Sequence, residues 1–364
     1  MKIALLGDIA FFGKFSIDNN KELHQYFNKV SEKLKSYDLV IGNLETPFAL
    51  DNHASYGFKS AYIKSSPKNI ELLKFLNIDV VNLANNHIYD FGWRSYELTK
   101  SLLDENGVKY FGIENKELVI EFEGNNIALN GFCCYSTNPL GIHSKKNDGI
   151  NDLNVVSAAE KLAENAKKNM FNIFSVHCGQ EHVNYPNYDH IQMARQLADI
   201  GPYVFYGHHP HVIQGIEKIR DSLIAYSLGN FCFDDVYTSK SKDPLIKQTK
   251  NNKESFILEL EIENNKLIDH SVVPIFLGED EMKIGGTEIP AKLKEYSEML
   301  PIDKLEYITH RNKLLHSYIS LRKKKRDLNW YLKRLNLKSV GLILFARLNA
   351  KKYKKSISLH LHEK

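Results

Sequence analysis

The chain has 364 residues, 43% hydrophobic and 25% charged, an ordinary globular composition with ample material for a large core. No run approaches the roughly 18 apolar residues of a membrane span, and Ile3–Leu6, cut short by Asp8, falls below the length of a secretion signal. The expectation is a cytoplasmic protein, in solution or peripheral to the inner membrane face. The net charge of +4 hides an asymmetry: from Arg322 onward there are 14 Lys or Arg against 2 Asp or Glu, a balance of +12, which leaves −8 on residues 1–321.

Through the first 230 positions, short apolar runs alternate with amphipathic stretches. The runs are Ile3–Leu6, Leu39–Ile41, Val80–Leu83, Ile127–Phe132, Ile173–Val176, Val204–Tyr206 and Leu223–Leu228; the amphipathic stretches cover about 20–36, 67–77, 94–105, 153–169 and 188–199. This alternation predicts an α/β fold. Hairpins are predicted at Gly124-Asn125-Asn126 and near Asn264-Asn265, so the sheet is expected to be mixed. Residues 236–254, rich in Lys and Asn, read as an exposed loop, and 290–318 as helix. The four cysteines, Cys133, Cys134, Cys178 and Cys232, lack C-x-x-C spacing and sit among apolar residues. They read as buried, reduced thiols.

The residues just past each strand are more telling. Ile3–Leu6 leads to Gly7-Asp8. Leu39–Ile41 leads to Gly42-Asn43-Leu44-Glu45. Val80–Leu83 leads to Ala84-Asn85-Asn86-His87, with Asp90 one turn on. Ile173–Val176 leads to His177 and then Glu181. Val204–Tyr206 leads to His208, His209 and His211, and Leu223–Leu228 to Gly229-Asn230. In α/β sheets, ligands bind outside the carboxyl ends of the strands. Singly, Asp8 or Glu45 reads as a cap or turn residue. Six such positions on one edge, drawn from Asp, Glu, Asn and His, form the ligand set of a divalent metal such as Zn, Mn or Fe. The lack of cysteine among them argues against a closed structural zinc site. On extended chain, His209 and His211 would point to the same face.

The ordered series "LLGDI", "IGNLETP", "VNLANNHIYDFG", "SVHCGQEHVNYP", "YGHHPHVIQGIE" and "AYSLGNFCFD" spans residues 1 to about 235. It resembles the CapA family of poly-γ-glutamate capsule synthesis proteins, within the calcineurin-like metallophosphoesterases. The resemblance implies a metallophosphoesterase-like mixed β-sandwich flanked by helices over residues 1–280. A helical segment, 281–320, and a basic amphipathic tail, 321–364, would follow. It implies Asp8 on one metal ion, Glu45 bridging, Asn86, His177 and His209 on a second, and His211 returning to the first. His208 and His209 are interchangeable at this stage. His87 would stand beside the metals as a proton donor or phosphoryl contact, or would only bond Asp90 and fix its loop. Asn43, Glu181, His208, Asn230 and Arg94 are the substrate-contact candidates. For Asn230 the plainer reading is a turn residue, for Arg94 a solvated helix residue.

Two departures stand out. Calcineurin-like enzymes carry D-x-H after the first strand, whereas Ile9 and Ala10 follow Asp8 here, and Glu45 stands where those enzymes usually have Asp. One or two metals are therefore both open. Two suit in-line attack on phosphorus; one suits hydrolysis of an ester or amide. The substrate implied is an anionic polymer or a phosphorylated precursor. A scaffold with a decayed site, and a nuclease or nucleotide phosphodiesterase, are the competing readings.

The tail "LRKKKRDLNWYLKRLNLKSVGLILFARLNAKKYKK" interleaves cations with Leu328, Trp330, Tyr331, Leu332, Leu335 and Leu337. A basic amphipathic helix of this kind reads as docking to an anionic membrane surface or a capsule-assembly complex through 322–355. Packing on the main domain and contact with nucleic acid are the alternatives.

Overall fold

The computed structural model describes residues 1–144, 148–238, 241–286, 288–324 and 337–357. The first four strands, β1 (Lys2–Ile9), β2 (Leu39–Leu44), β3 (Val80–Asn82) and β4 (Lys109–Phe111), lie side by side in parallel. Parallel neighbours need crossover connections, and α1 (Leu23–Leu34), α2 (Ile70–Phe75) and α3 (Gly92–Glu105) supply them. β5 (Leu118–Phe122) then pairs antiparallel with β6 (Asn125–Cys133). Glu123 and Gly124 form the turn with φ of 46° and 78°, a two-residue turn that needs positive φ.

The β5–β6 pair opens a second sheet, in which β6 is the inner strand. It runs parallel to β7 (Phe171–His177), which runs parallel to β8 (Tyr203–His208), with α4 (Val155–Lys167) and α5 (Tyr188–Ala198) in the connections. β9 (Ile216–Ile219) closes the edge against β10 (Ser222–Ala225), the parallel neighbour of β8. The chain then crosses back. β11 (Asn230–Cys232) lies parallel to β1. β12 (Val236–Thr238) and β13 (Ser241–Ile246) form a small hairpin, followed by the single turn α6 (Lys250–Lys253). β14 (Glu254–Glu263), β15 (Lys266–Leu277) and β16 (Met282–Ile284) extend the first sheet antiparallel from β1. α7 (Glu288–Glu298), α8 (Lys304–Lys324) and α9 (Leu337–Ile357) complete the described chain.

The two sheets pack face to face. Ile3, Leu5 and Ile41 of the first meet Leu129, Ile173 and Val204 of the second in one buried cluster. Phe27, Val30 and Leu72 of α1 and α2 cover the outer face of the first sheet. Leu162, Ile191 and Leu197 of α4 and α5 cover the outer face of the second. The result is an α/β fold, as the strand and helix alternation predicts, in the form of the mixed β-sandwich flanked by helices that the resemblance implies. The parallel strands are buried on both faces, which is why they read as continuous apolar runs. All four cysteines are buried and free.

Three details differ from the sequence reading. The described residues of 236–254 are not a wholly solvated loop. Val236, Leu245 and Ile246 pack against Phe233, and the amides of Gln248 and Asn252 are buried and bonded to Asn230 and the His211 carbonyl. Their polarity serves buried hydrogen bonds, which composition alone cannot separate from solvation. The 290–318 helix is interrupted between Glu298 and Lys304, around Pro301. In the tail, α9 packs on the body through Phe345, Tyr353 and Ile357, whereas Leu328, Trp330, Tyr331, Leu332 and Leu335 lie outside the described residues. Among the described residues, no helix is long and apolar enough to cross a membrane.

Candidate metal centre

Strand register brings the polar residues to one place. In the first sheet Asn230, Asp8, Asn43 and Asn82 are successive partners across β11, β1, β2 and β3. In the second, His177 sits opposite His208. These two rows lie at the carboxyl ends of the parallel strands, except that Asn230 opens β11, which starts beside the end of β1. Beyond β8, His209 and His211 have φ of 93° and 55°. A left-handed backbone is costly for a side chain with a Cβ, and such strain concentrates where a site needs it.

Two groups of ligand atoms result, each within 4.8 Å of one another: Glu45, His177 and His209; and Asp8, Glu45 and His211. Glu45 is common to both. Its carboxylate is fully buried, yet neither oxygen has a hydrogen-bond partner. The nearest nitrogens are His177 Nε2 at 3.6 Å and His211 Nε2 at 3.7 Å. Buried carboxylates are normally bonded or paired. Orphaned oxygens among imidazoles fit a carboxylate waiting for a cation. His208 Nε2 and His209 Nδ1 are also buried without partners. The side-chain oxygen of Asn86 lies 2.9 Å from His177 Nε2, which adds a neutral donor to the first group.

The electrostatics agree. Burial and the neighbouring Asp8 charge raise the Glu45 pKa well above its usual value. Burial would depress His211 as well, but Glu45 and Asp8 reverse that and lift it to about 10. Two buried carboxylates thus draw a proton onto an imidazole, a substitute for a missing positive charge. By contrast, burial pushes His209 down to about 3, and burial together with the neighbouring His209 pushes His177 well below 6.5. Both are neutral imidazoles with lone pairs to offer, the form that binds metal.

The groups behind the ligands fix their orientation. Asp8 accepts from the Asn43 amide at 2.9 Å and from the His209 backbone N–H at 3.2 Å, and pairs with His208 Nδ1 at 2.9 Å. Burial alone would raise its pKa, but the bonds to His208 and His211 hold it well below 3.8. His211 Nδ1 lies 2.9 Å from Asn230 Oδ1. Asn230 in turn donates to Gln248 Oε1 and the Asn252 carbonyl. Buried partners of this kind set ring orientation and ligand basicity.

Beside the cluster lies a second arrangement. His87 Nδ1 is 2.6 Å from Asp90 Oδ2, and Lys59 Nζ donates to Asp90 Oδ1 at 2.6 Å and to the Asn86 carbonyl at 2.6 Å. Burial lowers the His87 pKa, so the ring is neutral at neutral pH. With Nδ1–H directed at Asp90, its free nitrogen is Nε2. Burial would raise the Asp90 pKa, yet the His87 and Lys59 charges bring it below 3.8. Lys59, His87, Asn86, Glu181 and His211 all line the cavity that opens onto the cluster.

The bacterial capsule synthesis protein family PGA_cap matches residues 2–235. The chain belongs to that family. It is 28% identical over 255 residues to the PGA biosynthesis protein CapA of Bacillus subtilis, covering 68% of this chain and 67% of that one. It is 30% identical over 265 residues to the capsule biosynthesis protein CapA of Bacillus anthracis, covering 68% and 63%. Among solved structures, a hypothetical protein of Thermus thermophilus is similar at 15% identity and a TM-score of 0.45, covering 75% of this chain and 98% of that one. NAD nucleotidase of Haemophilus influenzae is similar at 13% and 0.43, covering 89% and 67%. Likenesses that distant say nothing of substrate.

In this PGA_cap chain, Asp8, Glu45, Asn86, His177, His209 and His211 come together as one cluster, and Glu181 lines the cavity. Asn43, His208 and Asn230, offered to substrate by the sequence, lie wholly buried behind Asp8 and His211 with their polar groups turned to those ligands. Of the adjacent histidines, His209 joins the three-residue group and His208 braces Asp8. Arg94 is exposed on α3 and does not line the cavity. Sequence reasoning missed Lys59, Gln248 and Asn252. A lysine in "GFKSAYI" offers one cue: apolar and small neighbours on both sides, where a solvated lysine usually has polar ones.

Proposed function

We propose that this protein is a metal-dependent hydrolase of capsule or extracellular polymer biosynthesis, acting on a phosphoester, or on an ester or amide, of an anionic substrate. Family membership supports the biosynthetic setting. The observation that carries the chemistry is Glu45: a fully buried carboxylate without a donor, shared by two ligand groups. Asp8, Glu45 and His211 would hold one divalent ion such as Mn, Zn or Fe; Glu45, His177, His209 and Asn86 would hold a second. Such ions supply Lewis-acid polarisation of a reacting oxygen and neutralise developing charge.

The remaining work falls to the chain's own groups. Lys59 places a buried positive charge in the cavity lining, 2.6 Å from Asp90 and beside Asn86, where it favours an anionic group. Asp90 holds His87 Nδ1, so proton exchange with a leaving group runs through Nε2. The walls of the cavity limit water around the reacting bond. Partners in this reading are an anionic polymer or phosphorylated precursor, with residues 322–355 meeting a membrane surface or an assembly complex, and the protein peripheral to the membrane in the cytoplasm.

Metal content by mass spectrometry, with hydrolysis of bis-para-nitrophenyl phosphate, tests the reading. Two ions per chain and metal-dependent hydrolysis, both lost in Glu45→Ala, are expected. A chain that takes up neither Mn nor Zn and hydrolyses nothing would be a scaffold.

A further inference from the structure

The cavity over the metal centre has two unlike halves. Its floor is polar and carries Lys59, His87 and His211. Its walls are apolar: Leu342 and Phe345 of α9 on one side, Phe233 with Leu245 and Ile246 of the β12–β13 hairpin on another, and Phe58 at the rim. Phe58 is 45% exposed. The hairpin and α9 both follow residue 235, where the family match ends.

The docking of α9 explains these walls only in part: Phe345 packs partly on the core, whereas Leu342 does not, and the helix is fastened at other points as well. Its Tyr353 hydroxyl bonds Asp189 and lies 3.1 Å from His190 Nε2; its Asn349 amide donates to Asn138 Oδ1; Lys338 Nζ sits 4.6 Å over the Tyr62 ring. With the helix held at those points, the apolar side chains that it turns to the cavity are available to a ligand. A hydrated polyanion gains nothing from apolar walls, since only apolar surface is driven out of water against them.

We propose that the cavity takes an anionic amphiphile, with a phosphoryl or carboxyl head at the metal centre and a hydrocarbon group held between α9 and the β12–β13 hairpin. The head half rests on the metal reading above; the hydrocarbon half rests on the walls alone.

Calorimetric titration of the Mn-loaded full chain with methyl-, butyl- and hexylphosphonate, which resist hydrolysis, tests this without reading turnover. A fully buried methylene is worth about fourfold in affinity, so a partly covered chain should gain at least tenfold from methyl to hexyl. Phe345→Ala on one wall and Leu245→Ala on the other should each remove most of that gain and leave methylphosphonate binding unchanged. Two variants on separate elements guard against the local collapse of either. Equal affinity for methyl- and hexylphosphonate, or a gain that survives both substitutions, would overturn the proposal. The gain is a ratio between ligands on one protein, so it stands apart from the head. Methylphosphonate binding that ignored Glu45→Ala would sink the metal reading, while a gain lost in Phe345→Ala would still support the apolar half. No binding by any member overturns both.

Discussion

Glu45→Gln should reverse its effect on stability when metal is added. In metal-free protein the Glu45 carboxylate is buried, without a donor, and next to Asp8. Its folded pKa is raised well above 4.5 by burial first and by the Asp8 charge second. A carboxyl group with a raised folded pKa binds more protons folded than unfolded. Its cost is therefore absent below about pH 4.5, grows as pH rises toward the folded pKa, and is complete above it. The glutamine side chain keeps the shape and removes the charge. An unsatisfied buried polar group costs about 1–3 kcal/mol, and more when charged. Glutamine leaves a polar group at the site and removes only the extra cost of the charge, so in EDTA at pH 8 the variant should be more stable than the native chain by about 1–2 kcal/mol. At roughly 1.3 °C per kcal/mol for a chain of 364 residues, the melting temperature should rise by about 1–3 °C. Metal should invert the order. A divalent ion at a hundred times its Kd adds about 2.7 kcal/mol to the native chain and nothing to a variant that cannot bind it. Paired thermal melts in EDTA and in Mn or Zn read both effects. A variant that melts below the native chain by the same margin in both conditions would refute the argument, since Glu45 would then be supporting the fold by packing.

His177→Ala and Asp8→Ala each remove a ligand from one group only, so each should lower the metal count by about one ion per chain, read by mass spectrometry. Lys59→Met breaks a buried ion pair with Asp90, at a cost of about 3–5 kcal/mol by thermal melt, reduced by whatever share His87 retains. His190 has a pKa lowered from 6.5 by burial, so the unfolded chain binds its proton more readily than the folded one. Stability from its neutral ring is complete above about pH 6.5 and lost as pH falls below, and His190→Phe should flatten that part of a denaturation–pH profile. A Cβ at Gly7 would meet the Gly229 carbonyl oxygen at 2.1 Å. Gly7→Ala should therefore push β11 from β1 and weaken metal binding at least tenfold in competition with a chelator, although no ligand is changed.

The α/β class was legible because its strands are short and apolar on both faces, and because its crossover helices are amphipathic; the sandwich was implied by the resemblance of the ordered motifs. The turns at Gly124 and Asn264-Asn265 were legible for a local reason, the positive φ that their residues tolerate. The metal cluster was legible for a topological one. In a parallel sheet every carboxyl end faces the same edge, so residues far apart in sequence fall into one row without any knowledge of contacts. Asp8, Asn43 and Asn230 illustrate both the strength and the limit of that rule. Register brings all three to the edge, but which of them faces the cavity depends on the neighbouring loops, and Asn43 and Asn230 end up behind the ligands. Lys59 escaped notice because its partners lie about thirty residues onward and its own segment has no regular structure to give it a face. The same holds for Gln248 and Asn252, whose amides look solvated until Asn230 and the His211 carbonyl are placed beside them. Hydrogen-bond partners of metal ligands carry no periodicity, since each answers one geometric need of one ligand. Their loss should nevertheless be felt. Asn252→Ala would leave the His211 carbonyl without its amide donor, while the residue 252 carbonyl still accepts from Asn230, with an expected fall in metal affinity of about tenfold to a hundredfold in competition with a chelator. An unchanged affinity would mean that Asp8, Glu45 and Asn230 hold His211 without help from the Asn252 side chain, and that the turn after the hairpin belongs to the cavity wall and not to the metal centre.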